Sequence, residues 1–267
     1  MQSSNSSSIA PSPRRFKTAR TILALILREM ATTYGRSPGG YIWAVLEPAA
    51  SIAVMSVVFG LALRSPSIGT NFPIFFATGS LPFAFFRETS NKVAGALMYS
   101  RALLQYPSVE YTDAILARFL LAVLTRLMVF VVVMSGIHIA YDLPAILDVP
   151  AILVSLIMAA TLGLGIGCMN CFLFSVFPIW KQLWSVLTAP LFLISAIIYV
   201  YENAAAPLRV FLWYNPLVHI TGLMRRGFYP TYDAPYVSEV YVFSVSLILI
   251  AMGFLLLHRW HRDILNL

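Results

Sequence analysis

Residues 149–175 read VPAILVSLIMAATLGLGIGCMNCFLFS and contain no charged side chain. A helix needs ~20 predominantly apolar residues to cross the hydrocarbon core of a bilayer. This run is longer, which implies a span that tilts or extends past the bilayer. Within it, Ala159, Gly163 and Gly167 stand four apart. Small residues at that spacing let two helix backbones approach closely. Cys168 and Cys171 are the only cysteines. No second pair completes a metal site, and buried free cysteine behaves as a small apolar packing residue, so a redox pair is the lesser reading.

Outward from this run lie five more of bilayer length, at about 41–63, 72–91, 119–141, 181–202 and 236–257. The second loses its apolar character at Arg87, Glu88 and Lys92. Apolar residues make up 59% of the 267, and charged ones only 11%. That is too little charge to cover a soluble domain, where roughly a quarter is usual. The expected fold class is an all-α membrane protein with six transmembrane helices. Residues 16–267 form a single transmembrane domain. Residues 1–15, rich in Ser with Asn and Pro, read as a disordered tail. They are no signal peptide, because the apolar stretch 22–27 that follows is short and is stopped by Arg28 and Glu29.

Three further segments have their own character. In residues 16–36, Ile22, Leu23, Ile26, Leu27 and Met30 recur at helical spacing, with Arg20, Arg28 and Glu29 on other faces. This fits an N-terminal amphipathic helix lying in the membrane interface, or one docked on a partner protein. Ser37-Pro38-Gly39-Gly40 breaks it. Residues 203–235 are too apolar for a solvated loop, with Leu208, Phe211, Leu212, Trp213, Leu217 and Leu223 among them. A re-entrant outer segment is expected there, as two short helices broken near Asn215-Pro216. Residues 92–118 form a long link between spans two and three.

The net charge of +7 does not call for nucleic acid, since the basic residues flank apolar runs. Six spans put both termini on one side, and Lys and Arg outside the spans divide twelve to four in favour of that side. The side rich in Lys and Arg is the cytoplasm. Within the spans, Glu47, Arg87 and Arg126 each cost ~2.5–3.5 kcal/mol to insert, so they should face the bundle interior or pair. Glu47 either caps backbone freed by Pro48 or makes a gate contact. Glu88 and Lys92 are spaced for a helical ion pair, and Arg126 is placed to meet Glu88 or a lipid phosphate. His138, His219, His258 and His261 lack zinc spacing, so no metal site is expected.

Four motifs occur in order. Gly35-Arg36-Ser37-Pro38-Gly39-Gly40-Tyr41-Ile42-Trp43-Ala44-Val45-Leu46-Glu47-Pro48 opens the first span, and Thr78-Gly79-Ser80-Leu81-Pro82-Phe83-Ala84-Phe85-Phe86 lies in the second. Leu103-Leu104-Gln105-Tyr106-Pro107-Ser108-Val109, with Asp113 and Arg118, occupies the link. Asn215-Pro216-Leu217-Val218-His219, then Arg225-Arg226-Gly227-Phe228, lies in the outer segment. Over residues 20–260 this set resembles ABC-transporter permeases of the second type, in the polysaccharide and polyol-phosphate export group. It is most similar to the capsular polysaccharide permeases.

The resemblance implies a homodimer driven by two cytoplasmic ATPase subunits that bind ATP and Mg. It implies a lipid-linked polysaccharide moved from cytoplasm to periplasm across the inner membrane of a Gram-negative bacterium, with periplasmic and outer-membrane export partners. It implies a substrate path of aromatic and polar side chains: Tyr41, Trp43, Phe83, Phe86, Arg87, Trp184, Tyr199 and Tyr201. An aromatic ring offers a sugar a flat apolar face with a polar handle, although aromatic belts at span ends need no function. Arg101, Leu103, Leu104, Tyr106 and Pro107 fall in the expected ATPase-coupling helix, around 96–108. Glu47, Pro48, Asn215, Pro216, Arg225 and Arg226 take gating or structural places.

No glycine is followed by Lys in this sequence, so the phosphate-cradling GxxxxGK[ST] loop is absent from it. The exporter reading therefore places ATP hydrolysis in a partner and gives this chain no cofactor. Export of a drug, haem or lipid is the alternative within the family. A membrane-embedded glycosyltransferase is disfavoured because no Asp-x-Asp pair or other catalytic constellation is visible. A passive channel is a further alternative, which transport without ATP would favour.

Overall fold

The computed structural model describes residues 17–33, 39–62, 65–104, 109–142 and 146–266. Among them the only regular structure is helical. The elements are α1 (Lys17–Thr33), α2 (Gly40–Ala62), α3 (Phe72–Ala94), α4 (Ala96–Leu104), α5 (Tyr111–Tyr141), α6 (Val149–Val176), α7 (Trp180–Ile194), α8 (Ala206–Trp213), α9 (Pro216–Phe228) and α10 (Glu239–Asn266). A single 3₁₀ turn, Tyr201–Asn203, precedes α8. The expected tail, the Ser37-Pro38 break, Tyr106 and Pro107 fall outside the described residues.

Four helices are long and apolar enough to cross a membrane: α2, α5, α6 and α10. Helix α3 is 23 residues long, but Arg87, Glu88 and Lys92 crowd its end. Helix α7 has only 15 residues. The chain is a multi-pass helical membrane protein.

Helix α6 is the centre, with over half (56%) of its most apolar window buried. Small residues make this possible. A Cβ on Gly163 would lie 3.0 Å from the Phe86 carbonyl of α3, and one on Gly165 would lie 2.9 Å from the Ser246 carbonyl of α10. Helices α3 and α10 thus clamp α6 from two directions at close range. Cys168 and Cys171 are free and fully buried, packed with Val93, Leu97, Ile115 and Leu257.

Helix α2 is the opposite case. Only 6% of its apolar window is buried. Ile42, Trp43, Leu46, Val54, Val57 and Leu61 all stand exposed on a single copy of the chain. Pro48 sits inside α2 without ending it.

Three boundaries differ from the hydropathy reading. The third span begins at Tyr111, not 119, because Glu110 and Asp113 form a reciprocal capping box that starts α5 eight residues earlier. The link of 92–118 is consequently mostly helix: α3 runs on to Ala94, α4 follows, and α5 has already begun. The fifth span does not continue to 202. Helix α7 ends at Ile194, Ser195 Oγ turns back to the Leu191 carbonyl, and Ala196 takes a left-handed conformation at φ 54°.

Residues 203–235, where a re-entrant outer segment is expected, contain two helices, α8 and α9, divided at Asn215-Pro216. Asn215 caps α9 by accepting the Leu217 N–H at 3.0 Å, and Pro216 takes the first helical position, where its missing N–H costs nothing.

Candidate functional site

The break after α7 leaves carbonyls without helical partners, and α9 supplies them. Asn215 Nδ2 donates to the Ile194 carbonyl at 3.0 Å, and Thr221 Oγ1 to the Ser195 carbonyl at 3.0 Å. Arg225 Nη2 donates to the Ile197 carbonyl at 2.6 Å and Nη1 to the Tyr199 carbonyl at 2.7 Å. Arg225 is wholly buried, with its guanidinium carbon 4.4 Å from the centre of the Phe75 ring. Its planar fork matches two neighbouring carbonyls in a way an ammonium does not. No carboxylate lies within ion-pair distance of it among the described residues; two charge-assisted hydrogen bonds and the ring face stabilise the cation.

Gly79 of α3 lets this happen. A Cβ there would lie 2.9 Å from the Ile197 carbonyl and 3.2 Å from Arg225 Nη2. Gly79→Ala is therefore expected to destabilise the protein by about 1–3 kcal/mol through overpacking. The measurement is a lowered thermal midpoint of the detergent-purified chain.

His219 holds the other end of the outer segment. The Ser238 N–H donates to Nδ1 at 3.1 Å, which leaves the proton on Nε2 to donate to the Trp213 carbonyl at 2.7 Å. Trp213 stacks on Tyr241 at 5.2 Å between centroids. Arg226, one residue from buried Arg225, is half exposed and lies 4.0 Å from Asp148.

A groove opens between α2, α3, α5 and α7, with a cavity of about 140 Å³. It gathers Glu47 and Pro48 of α2, Ser80, Phe83 and Arg87 of α3, Arg126 of α5 and Phe192 of α7. Arg126 pairs with Glu88 at 3.3 Å. That is the pairing weighed against a lipid phosphate, and Glu88 makes it in place of the expected Lys92 contact. Arg87 and Glu47 have no ion-pair partner among the described residues, and Ser80 Oγ is buried without a hydrogen-bond partner there. Phe192 meets Phe83 edge-on at 5.6 Å and floors the groove. Ionisable side chains at membrane depth characteristically face a water-filled cavity on a substrate route. Glu47 is exposed in this groove, not buried in the bundle interior.

The expected path residues therefore divide. Phe83 and Arg87 share the groove with Glu47 and Pro48. Phe86 is a fully buried core residue, and Trp184 is half-buried on α7 outside the groove. Trp43 is exposed on α2, while nothing is described of the Tyr41 side chain. Tyr199 and Tyr201 lie beyond the end of α7, in the turn that leads to α8.

Arg101, Leu103 and Leu104 lie on α4, whose connection to the rest sequence reading missed. Glu29 of α1 is buried, and pairs with Arg118 of α5 at 3.1 Å. Arg118 also donates to the Gly95 carbonyl at 3.0 Å and lies 4.4 Å from the centre of the Tyr99 ring on α4. The Tyr99 hydroxyl meets Thr32 of α1. Glu29 was expected on the polar face of an amphipathic helix; it is instead the buried anion that joins α1, α4 and α5.

The sequence that builds this polar groove among apolar helices has known relatives. The profile of the ABC-2 type transporter matches residues 20–229. The chain belongs to the ABC-2 type transporter family. It is 30% identical over 243 residues to the polysialic acid transport protein KpsM of Escherichia coli, covering 91% of this chain and 94% of that protein. It is 26% identical to the capsule polysaccharide export inner-membrane protein CtrC of Neisseria meningitidis, with 92% of each chain covered. The same figures hold for the capsule polysaccharide export inner-membrane protein BexB of Haemophilus influenzae. Matches over 91–92% of the chain make it a permease of the ABC-2 type, a class that works with an ABC ATPase.

Proposed function

We propose that two copies of this chain form the inner-membrane path through which an ABC exporter moves a lipid-linked, acidic capsular polysaccharide from cytoplasm to periplasm. The groove carries the reading: Arg87, Arg126, Glu47 and Ser80 beside Phe83 and Phe192 offer an acidic sugar both polar contacts and flat apolar faces. The relatives' names, which speak of capsule polysaccharide and polysialic acid, agree with such a cargo.

On this reading α2, α3, α5, α6, α7 and α10 are the six spans. Helix α3 tolerates its charges because they face the groove and Arg126. The shortness of α7 is compensated by the turn that Arg225 holds at its outer end. Helix α1 lies in the cytoplasmic interface, α8 and α9 re-enter from outside, and both termini are cytoplasmic. The exposed apolar face of α2 belongs against the second copy, where its residues leave lipid for protein. Two ATPase subunits dock around α4, and periplasmic and outer-membrane partners receive the polymer.

The groove reading predicts that Arg87→Gln leaves the protein folded, because Arg87 is exposed and pairs with no described residue. Export should fall about tenfold or more, the cost of about one charge-assisted contact. The measurement is surface capsule in a deletion strain complemented with each variant. Acidic polymer should accumulate in the cytoplasm of the Arg87→Gln strain. Normal capsule with Arg87→Gln, or a drug or haem export defect instead of a capsule defect, would remove the reading.

A further inference from the structure

On the outer side, past the end of α7, a second and shallower recess of about 430 Å³ is lined by Tyr201, Ala206, Arg209, Val210, Trp213 and Tyr214. We infer that this recess is a separate subsite for a short run of carboxylated sugar residues, the segment of polymer that has already left the groove. The inference rests on the export reading and adds a second contact point to it.

The rings in the recess are fixed from behind. Tyr201 stacks on Tyr236 with centroids 4.1 Å apart, and its hydroxyl donates to the Arg209 carbonyl at 3.1 Å. Trp213 stacks on Tyr241, and its Nε1–H donates to the Tyr236 carbonyl at 3.2 Å. The Tyr241 hydroxyl in turn donates to the Tyr214 carbonyl at 2.7 Å. Behind them, Tyr232 donates to Glu202 at 3.0 Å. Burial, and then its neighbours Tyr236 and Glu202, hold the Tyr232 phenol above its ordinary range, so it stays a donor. Binding to the Tyr201 and Trp213 rings, which are already held, loses little side-chain entropy.

The chemistry of the lining selects the ligand. Tyr and Trp faces accept the C–H face of a sugar ring, with polar handles at their edges. Arg209 is half-buried, and its guanidinium has no ion-pair partner among the described residues. A planar guanidinium beside aromatic faces is suited to a carboxylate presented in a sugar's plane. Tyr214 is 64% exposed, so the recess is open to a passing chain. An acyl chain or the apolar face of a second copy would leave that guanidinium desolvated and unpaired, which is costly.

The test uses the full-length permease in lipid nanodiscs. Binding of a fluorescent sialic acid oligomer is followed by anisotropy, with a neutral dextran oligomer of equal length as comparison. The Arg87→Gln chain serves as the background, so that the groove contributes less. The sialic acid oligomer should bind and the dextran should bind far more weakly. Arg209→Gln and Tyr214→Ser should each weaken binding about tenfold or more, and Arg209→Lys should fall between. Both side chains are partly exposed, and an unchanged elution profile establishes that the variants fold.

Unchanged affinity in both variants would overturn the subsite, as would equal binding of dextran or no binding of the acidic oligomer. A shift of the Tyr214→Ser chain to a smaller oligomer would assign the surface to a second copy and also overturn it. Export that needs Arg87 while oligomer binding ignores Arg209 would defeat the subsite alone. Export that needs neither residue would defeat the path reading beneath it.

Discussion

Arg225→Met should unfold the turn after α7 and the α8–α9 pair packed on it. The substitution retains much of the side-chain length but removes both donors to the Ile197 and Tyr199 carbonyls. Each buried acceptor left without a donor costs about 1–3 kcal/mol, and there are two. The guanidinium also loses its place against Phe75, although removing a fully buried cation recovers some desolvation free energy. The net expectation is a destabilisation of a few kcal/mol, enough to lower the thermal midpoint by several degrees or to prevent accumulation of folded protein. Arg225→Lys should be nearly as harmful, because one ammonium cannot span two carbonyls as a fork does. Thermal unfolding of the purified variants in detergent measures both. A lysine variant as stable as the parent would contradict the two-carbonyl account.

Glu29→Ala should uncouple the motor from the path. Removing one partner of a buried ion pair costs about 3–5 kcal/mol, because the other charge stays desolvated. Here the stranded group would be Arg118, which also holds the Gly95 carbonyl and the Tyr99 face. With the pair gone, α4, which the proposed function docks on the ATPase, loses its link to α1 through Arg118 and keeps the contacts of Tyr99 with Thr32 and Arg28. The expected result is ATP hydrolysis near the parent rate with polymer transport reduced severalfold or more. The exchanged pair, Glu29→Arg with Arg118→Glu, should recover part of the transport. Equal loss of hydrolysis and transport would mean a folding defect, which the unfolding curve of the same sample identifies.

Much of the architecture can be read from local pattern. Helix α6 declares itself by an uninterrupted apolar run, and its small residues mark the sides that α3 and α10 approach. The division of the outer segment at Asn215-Pro216 is legible because a cap residue and a proline each act within one turn. The early end of α7 is different. Residues 195–201, SAIIYVY, are as apolar as the helix before them, and the chain turns at Ala196 with no glycine to announce it. The turn is maintained by Asn215, Thr221 and Arg225, which stand some twenty or more residues ahead. Hydropathy registers Arg225 only as a charge outside a span.

Charged residues in helices show the same limit. Glu47, Arg87 and Arg126 stand out in the sequence as expensive groups that need a reason. Their meeting in one groove depends on how α2, α3 and α5 cross, which no single helix encodes. Glu29 gave no warning, because a glutamate beside an arginine on an amphipathic helix ordinarily faces water. Its partner lies 89 positions away at Arg118. The aromatic path residues stand near the ends of the apolar runs, a position that core packing, interface anchoring and sugar contact all favour. Both Phe83 and Phe86 are buried, and only the fold shows that Phe83 also borders the groove.

On the proposed function, this chain supplies a path that a separate ATPase drives. That function is tested most directly by reconstituting the purified chain with its ATPase in liposomes. Movement of lipid-linked acidic polysaccharide across the bilayer is then followed with and without ATP. Movement is expected only when ATP and both subunits are present, and it should be lost with Arg87→Gln while the complex stays assembled. Movement without ATP, or transport indifferent to the groove, would contradict the proposed function.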